Sequence, residues 1–169
     1  PDTQAEWLTA PRTVLFRLPD VLWARENGSR LWIVDGEKDA ETLARYGELA
    51  TSRCRKLGQW CKAWSAQLAP VDGVDGYEVV IVRDRDGANK SFAGEKWAAL
   101  VAEALKSAGI PVSIVEAKDG KDASDHLDAG YSLEEFVPVP DWRDFEKPAA
   151  PAVRGQVAEG ENGHTSGEA

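Results

Sequence analysis

The stretch that decides the fold is YEVVIVRDRDG, residues 77–87. Its first six residues, Tyr77 to Val82, are rich in strand-forming side chains and apolar on both faces, rather than at every second position. That pattern is typical of a strand in a parallel sheet that is covered on both sides. The run ends in a charged loop that carries Asp84 and Asp86. The stretch therefore predicts a buried strand whose carboxyl end presents two aspartates.

On both sides of this strand, short apolar runs alternate with segments of helical periodicity. The predicted strands are Leu31–Val34, Glu48–Thr51, Tyr77–Val82 and Ile110–Val115. The predicted helices are Lys38–Tyr46, Trp60–Leu68, Gly94–Ala108 and Ser124–Ala129. Strands that alternate with helices indicate an α/β fold. We expect about four strands in a mostly parallel sheet flanked by helices.

The length of 169 residues fits one domain with extensions. Residues 1–13 are a polar lead-in, and residues 14–137 hold all the predicted strands and helices. Residues 138–169 are rich in Pro, Gly, Ala and Glu, a composition that buries too little apolar surface to offset the entropy of ordering. We therefore predict a disordered C-terminal tail over 138–169.

Composition excludes several classes of function. A net charge of -9 argues against a basic protein that grips nucleic acid by neutralising phosphates. No apolar run approaches the roughly 18 residues that a membrane-spanning helix needs. Two cysteines cannot form a disulfide scaffold, which favours a reducing cytoplasm.

Three acidic residues follow two of the predicted strands. Glu37 comes shortly after the first strand, and Asp84 and Asp86 come directly after the third. In open parallel sheets, ligands bind beyond the carboxyl ends of the strands. Oxygen ligands of this kind suit Mg²⁺, although loop acids are also common simply because loops are solvated. Spacing alone favours the solvated loop, whereas the combination of two such strand ends favours a metal site.

Four motifs, taken in order, resemble a known family. They are Leu15–Val21, Gly36–Ala40, Asp84–Gly87 and Gly120–Leu127. Together they resemble the Toprim domain shared by bacterial-type primases, topoisomerases and some nucleases. The amino-acid sequences of these motifs are similar to those of the phage- and plasmid-type DNA primases of the primase-helicase branch. The resemblance runs from about Val14 to Phe136.

The resemblance implies a Rossmann-like fold and a role for each acid. Glu37 corresponds to the glutamate that acts as general acid or base in nucleotidyl transfer or strand cleavage. Asp84 and Asp86 correspond to the aspartates that coordinate Mg²⁺ or Mn²⁺. Asp122 and Asp125 would add to an acidic rim.

Basic residues near these loops are candidate contacts to nucleic acid or phosphate. They are Lys38, Arg53, Arg55, Lys56 and Arg85. Arginines 83 and 85 flank Asp84, and two alternatives stay open for them. They either bind phosphate or pair with the aspartates and weaken metal binding.

The resemblance implies primase-type nucleotidyl transfer, the synthesis of RNA primers on DNA, within a larger protein or complex. The alternatives are a Toprim nuclease that cleaves phosphodiesters and a non-catalytic module that docks nucleic acid or protein. The expected partners are a single-stranded DNA template and nucleotides. Zinc-binding and helicase domains or proteins outside this chain are further expected partners, and no membrane is involved.

Overall fold

The computed structural model of the protein describes residues 14–53 and 60–146. The helices are α1 (Leu18–Asn27), α2 (Glu37–Arg45), α3 (Lys62–Gln67), α4 (Ala93–Ser107) and α5 (Ala123–Asp128). The strands are β1 (Arg30–Val34), β2 (Ala50–Ser52), β3 (Glu78–Arg83), β4 (Val112–Glu116) and β5 (Val137–Pro138). Single 3₁₀ turns occupy Ala88–Lys90, Leu133–Glu135 and Asp144–Glu146. The predicted α/β fold is confirmed.

The strands form one sheet in the order β2-β1-β3-β4-β5. The first four are parallel, and β5 joins β4 in the antiparallel direction. The expectation of about four mostly parallel strands is thus met with one short edge strand in addition. Two residues, one of them Pro138, carry too little pattern to predict a strand, and β5 forms because its backbone pairs with β4.

The strands are apolar on both faces because helices cover both sides of the sheet. Ile33 and Ile81 point into a core formed with α1, α3 and α4, and both are fully buried. Val34 and Val82 point the other way, into a core formed with α2 and α5. Full burial of each such side chain stabilises the fold by about 1.5–3 kcal/mol.

Helix α1 lies in a segment for which the sequence analysis assigned no helix. Only Val21 and Ala24 of this helix are buried, whereas Leu22 and Trp23 are exposed. The apolar residues therefore do not form one stripe, and periodicity gives no signal.

Among the described residues, no helix has the length and apolarity needed to cross a membrane.

Residues 138–146 pack against the domain beyond the boundary predicted at residue 137. The buried guanidinium of Arg83 donates from Nε to Glu116 Oε2 at 2.8 Å and from Nη1 to Asp144 Oδ1 at 2.6 Å. This arginine lowers the pKa of Asp144. Phe145 stacks on Phe92, with 5.8 Å between the ring centroids. The disordered tail was predicted over 138–169, and residues 138–146 depart from that prediction because these contacts order them. Residues 147–169 lie outside the described residues, and the domain boundary stays a prediction.

Candidate active site

The carboxyl ends of the parallel strands meet at one edge of the sheet. From β1 the chain crosses through α2 to β2 on one side, whereas β3 lies on the other side of β1. The strand order therefore reverses between β1 and β3, and open α/β sheets bind ligands in the crevice at such a point. Asp35 lies on the loop after β1 and Glu37 begins α2 at the end of that loop, whereas Asp84 and Asp86 lie on the loop after β3. The sequence-predicted acids thus lie on, or at the end of, the two loops that border this crevice.

Asp84 is buried, with 8% of its surface exposed. Its Oδ2 accepts a hydrogen bond from Lys121 Nζ at 2.8 Å. Burial raises the pKa of Asp84 to about 6, the nearby charges of Asp35 and Asp39 add to this, and Lys121 opposes it. The carboxylate is therefore held charged at neutral pH at an energetic cost, which an additional positive charge would relieve.

Asp86 is half-buried and faces two ammonium groups. Its Oδ2 accepts a hydrogen bond from the Gly94 N–H at 3.0 Å. Its Oδ1 is buried without a hydrogen-bond partner among the described residues, and lies 3.3 Å from Lys121 Nζ and 3.4 Å from Lys90 Nζ. Burial acts to raise the pKa of Asp86, but Lys121 and Lys90 outweigh it and lower the pKa. The lone pairs of Asp86 Oδ1 are therefore available to bind a cation.

Helix α4 approaches the aspartates closely because its second residue is Gly94. A Cβ atom there would lie 2.5 Å from Asp84 Cβ and 2.6 Å from the Asp84 carbonyl oxygen. The Asp84 backbone could make room for this Cβ atom only if the loop that carries both aspartates shifted. The glycine therefore positions the site as well as the helix.

We expect Gly94→Ala to lower the free energy of unfolding by about 2 kcal/mol, because overpacking outweighs the better helix propensity of alanine. Urea denaturation followed by circular dichroism measures the effect. Lys96→Ala, at an exposed position two residues along the same helix, is the control and should change stability by less than about 0.5 kcal/mol. Equal stability of Gly94→Ala and the wild type would contradict the close approach.

Glu95 supports the same loop from beneath. It is only 6% exposed, and its Oε1 accepts a hydrogen bond from the Gly87 N–H at 3.0 Å. Its Oε2 is buried without a hydrogen-bond partner in the described part of the chain. The carboxylate fixes the turn that follows Asp86.

Asp39 connects α2 to α5. Its Oδ1 accepts hydrogen bonds from the Ser124 backbone N–H at 3.1 Å and from the Ser124 hydroxyl at 2.5 Å. Burial raises the pKa of Asp39, hydrogen bonds from Ser124 act against the rise, and Asp122 adds to it. The aspartate of the Gly36–Ala40 motif is therefore a structural link between two of the site's loops.

Glu37 and Lys38 are the first two residues of α2, and both are exposed. Within residues 14–53 and 60–146, the Glu37 carboxylate makes no hydrogen bond or ion pair. It lies at the N-terminus of the helix, where the helix dipole favours a negative charge. An exposed carboxylate that has no competing partner is free to accept a proton from a substrate.

Arg53 follows β2 and is buried at the same edge of the sheet. Its guanidinium pairs with Asp35 Oδ1 at 2.5 Å and lies over the ring of Trp97 at 5.2 Å from the centroid. Contact between Arg53 and nucleic acid stays a prediction, and it would have to compete with these partners. Arg55 and Lys56 lie outside the described residues.

The two arginines beside Asp84 do not pair with the aspartates, which was one of the two alternatives that the sequence left open. Arg83 binds Glu116 and Asp144, as described above. Arg85 is exposed, and its Nε and Nη2 donate to the carbonyl oxygen of Gly120 at 3.1 Å and 2.5 Å. Neither arginine neutralises Asp84 or Asp86, and phosphate binding by Arg85 stays a prediction.

Asp122 and Asp125 shape the start of α5. Asp122 is the N-cap residue, and its Oδ1 accepts a hydrogen bond from the Asp125 N–H at 2.9 Å. Asp125 Oδ2 accepts a hydrogen bond from the Lys121 N–H at 2.8 Å. Such a cap stabilises a helix by roughly 1 kcal/mol. Their predicted place in an acidic rim is untested, whereas their capping role is visible.

The donor set at Asp84 and Asp86 suits a hard divalent cation. Carboxylate oxygens are its preferred ligands, and Mg²⁺ is usually bound through one or two carboxylates plus substrate phosphates and water. Burial raises the pKa of Asp84, so an added positive charge would stabilise its charged form. Asp86 Oδ1 is buried without a hydrogen-bond partner among the described residues, and two ammonium groups already lie near it. Among the described residues, no group of three or more His, Cys, Asp or Glu side chains is arranged to hold a metal ion. Asp84 and Asp86 thus offer the two carboxylates that such a cation needs from the protein, and substrate phosphates and water would supply its other ligands.

Sequence reasoning missed Lys121, Glu95 and Ser124. Lys121 belongs to the Gly120–Leu127 motif, but nothing in its spacing indicates contact with a loop 37 residues earlier. Glu95 is a charged residue in the first turn of a helix, which ordinarily predicts solvent exposure. Ser124 gave only the weak signal of a hydroxyl in the first turn of a short helix.

Comparisons with known proteins give one family match and several structures of similar fold. The family model of the Toprim domain matches residues 60–131, which include both aspartates and Lys121 but not Glu37. The E. coli primase catalytic core aligns with a TM-score of 0.55 at 19% identity, over 82% of this chain and 43% of that chain. A DnaG primase catalytic domain bound to ssDNA aligns with a TM-score of 0.56 at 19% identity, over 82% and 43% of the two chains.

A further DnaG catalytic core aligns with a TM-score of 0.54 at 21% identity, over 86% of this chain and 45% of that chain. The chain thus spans less than half the length of each of these structures. No curated protein matches the chain. The match of residues 60–131 to the Toprim domain, which includes the carboxylate pair, and the fold shared with primase catalytic cores show that this chain has the Toprim fold.

Proposed function

We propose that this chain is the Toprim module of a primase-type nucleotidyltransferase, which makes RNA primers on single-stranded DNA. The observation that carries the proposal is the position of Asp84 and Asp86 after β3 and of Glu37 after β1, where Glu37 makes no hydrogen bond or ion pair with the described residues. The fold is shared with primase catalytic cores, one of them bound to ssDNA. We assign the chain to the phage- and plasmid-type branch of such primases, acting in the cytoplasm.

Asp84 and Asp86 would hold Mg²⁺ or Mn²⁺, which supplies positive charge against the oxygens of a reacting phosphate. The protein's part is to fix the two carboxylates. Hydrogen bonds from Gly94 to Asp86 and from Gly87 to Glu95 hold their loop against α4.

Glu37 would act as the general base. A nucleotide hydroxyl attacks the α-phosphorus of an incoming nucleoside triphosphate, the bond to pyrophosphate breaks, and the hydroxyl proton passes to the Glu37 carboxylate. A positioned carboxylate in this role contributes about 10²- to 10⁴-fold to the rate. Its exposure and lack of a partner support the assignment.

Basic residues at the same edge would contact the phosphates. Lys38, in the first turn of α2, and Arg85, on the loop after β3, are exposed and lie beside the crevice. Arg55 and Lys56 belong to the segment that follows β2 and are further candidates. Because the protein's net charge is -9, we expect its own grip on DNA to be weak. Zinc-binding and helicase domains or proteins would supply the rest.

A primer-synthesis assay tests the proposal. The protein is incubated with a single-stranded DNA template, ribonucleotides and Mg²⁺ or Mn²⁺, and the RNA products are resolved on a gel. We expect products that require both template and metal.

The same reaction distinguishes the alternatives. Cleavage of the DNA without RNA synthesis would assign the nuclease function instead. Metal-independent binding of DNA, with neither synthesis nor cleavage, would assign the non-catalytic docking function.

A further inference from the structure

Lys121 places its ammonium group between the two aspartates. Nζ lies 2.8 Å from Asp84 Oδ2 and 3.3 Å from Asp86 Oδ1. One monovalent cation is thus shared by the two carboxylates that the proposed function assigns to a divalent cation. A metal ion and this ammonium would repel each other strongly at such a separation, so both cannot stay in place.

The backbone of Lys121 is anchored, whereas its side chain reaches solvent. Its N–H donates to Asp125 Oδ2 at 2.8 Å, and its carbonyl oxygen accepts from the Arg85 N–H at 2.9 Å. Gly120 has φ +77°, and a Cβ atom there would lie 2.3 Å from Asp125 Cβ, so this turn has a fixed geometry. The lysine side chain is nevertheless 38% exposed. Its flexible four-carbon stem can therefore swing outward without movement of the loop.

We propose that Lys121 is an internal competitor of the divalent cation: metal enters the Asp84–Asp86 pair only by displacing the lysine ammonium into solvent. This inference rests on the metal site of the proposed function. It makes metal loading an exchange of one cation for another, so the ammonium lowers the affinity for metal and keeps the buried carboxylates compensated when metal is absent. Because the coupling is reciprocal, bound metal in turn weakens the contact of the Lys121 ammonium with Asp84 and Asp86 and leaves it in solvent.

Metal affinity tests the competition directly. Mn²⁺ is titrated into the protein and free Mn²⁺ is measured by electron paramagnetic resonance. We expect Lys121→Met to lower the dissociation constant about tenfold, a typical strength of coupling between two ligands. Lys118→Met is the matched control, because Lys118 lies on the same loop and pairs with Glu135 at 2.7 Å instead. It removes the same charge and should change the dissociation constant less than about twofold.

A second measurement uses the wild type and needs no variant. Acetylation of each lysine by an amine-reactive reagent is followed by mass spectrometry with and without Mn²⁺. We expect Mn²⁺ to raise the reactivity of Lys121 severalfold and to leave that of Lys118 unchanged.

The outcomes separate this inference from the metal site itself. If Mn²⁺ binding requires Asp84 but Lys121→Met binds no more tightly, and Lys121 reactivity does not rise, the competition is overturned and the metal site stands. If Mn²⁺ binds to Lys121→Met and not measurably to the wild type, the competition is supported in its strongest form. If neither protein binds Mn²⁺, both the site and the inference are overturned.

Discussion

Glu37→Gln should lower the rate of primer synthesis by about 10²- to 10⁴-fold. The amide has the size of the carboxylate but cannot accept the hydroxyl proton. Because Glu37 is exposed and makes no hydrogen bond or ion pair in the described part of the chain, its replacement disturbs little else. The loss of a negative charge at the start of α2 costs only about 0.3–1 kcal/mol of stability. Steady-state rates at saturating metal and nucleotide measure the effect.

Glu41→Gln is the matched control for this substitution. Glu41 is also exposed and lies one turn further along α2, so the same charge is removed from the same helix. We expect its rate to stay within about twofold of the wild type, since an exposed charge a turn away is screened by solvent and salt. Full activity of Glu37→Gln would remove Glu37 from the chemistry.

Asp84→Asn should abolish the stabilisation of the protein by Mg²⁺ and, without metal, increase stability at neutral pH. In the wild type, burial raises the pKa of Asp84 to about 6, above the roughly 3.9 of an unfolded chain. Between these two values the native state binds more protons than the unfolded state, so stability falls as pH rises from about 4 to 6. Asparagine carries no charge and removes this loss, although it also gives up the ion pair with Lys121. We expect a net gain of about 2 kcal/mol at pH 7.5.

Urea denaturation at pH 4.5 and pH 7.5, with and without Mg²⁺, measures both parts of this prediction. At a hundred times the dissociation constant, bound metal should stabilise the wild type by about 2.7 kcal/mol and the variant not at all. Asp128→Asn, at an exposed position of α5, controls for the loss of one negative charge. Undiminished stabilisation of Asp84→Asn by Mg²⁺ would place the metal elsewhere.

The central strands and helices were predictable because their side chains obey the local periodicity. The run from Tyr77 to Val82 is apolar on both faces, and the structure buries Val79 and Ile81 on one face and Val80 and Val82 on the other. The acids at the strand ends followed from the rule that parallel strands end at one edge. Both inferences need only residues that are close together in the sequence.

The features that escaped prediction depend on contacts between distant residues. Lys121 and Asp84 are 37 residues apart, and Arg83 and Asp144 are 61 apart. The flanking arginines illustrate the difference, because pairing with the neighbouring aspartates was one of the two alternatives that the sequence left open for them. The fold instead gives Arg83 two carboxylates from other segments and gives Arg85 a backbone carbonyl. Local sequence shows that a charge is present, and only the tertiary structure decides which partner it finds.

The ion pair between Arg83 and Asp144 holds the last described residues of the chain close to the candidate site. Arg83 is the last residue of β3, immediately before Asp84, and Phe145 rests on Phe92 just ahead of α4. Any segment that continues from Glu146 therefore starts close to the edge that carries the candidate site. A group joined to such a segment would be kept at a high local concentration beside the carboxylates. The contacts of Asp144 and Phe145 thus fix the position of the chain at Glu146 relative to the two aspartates.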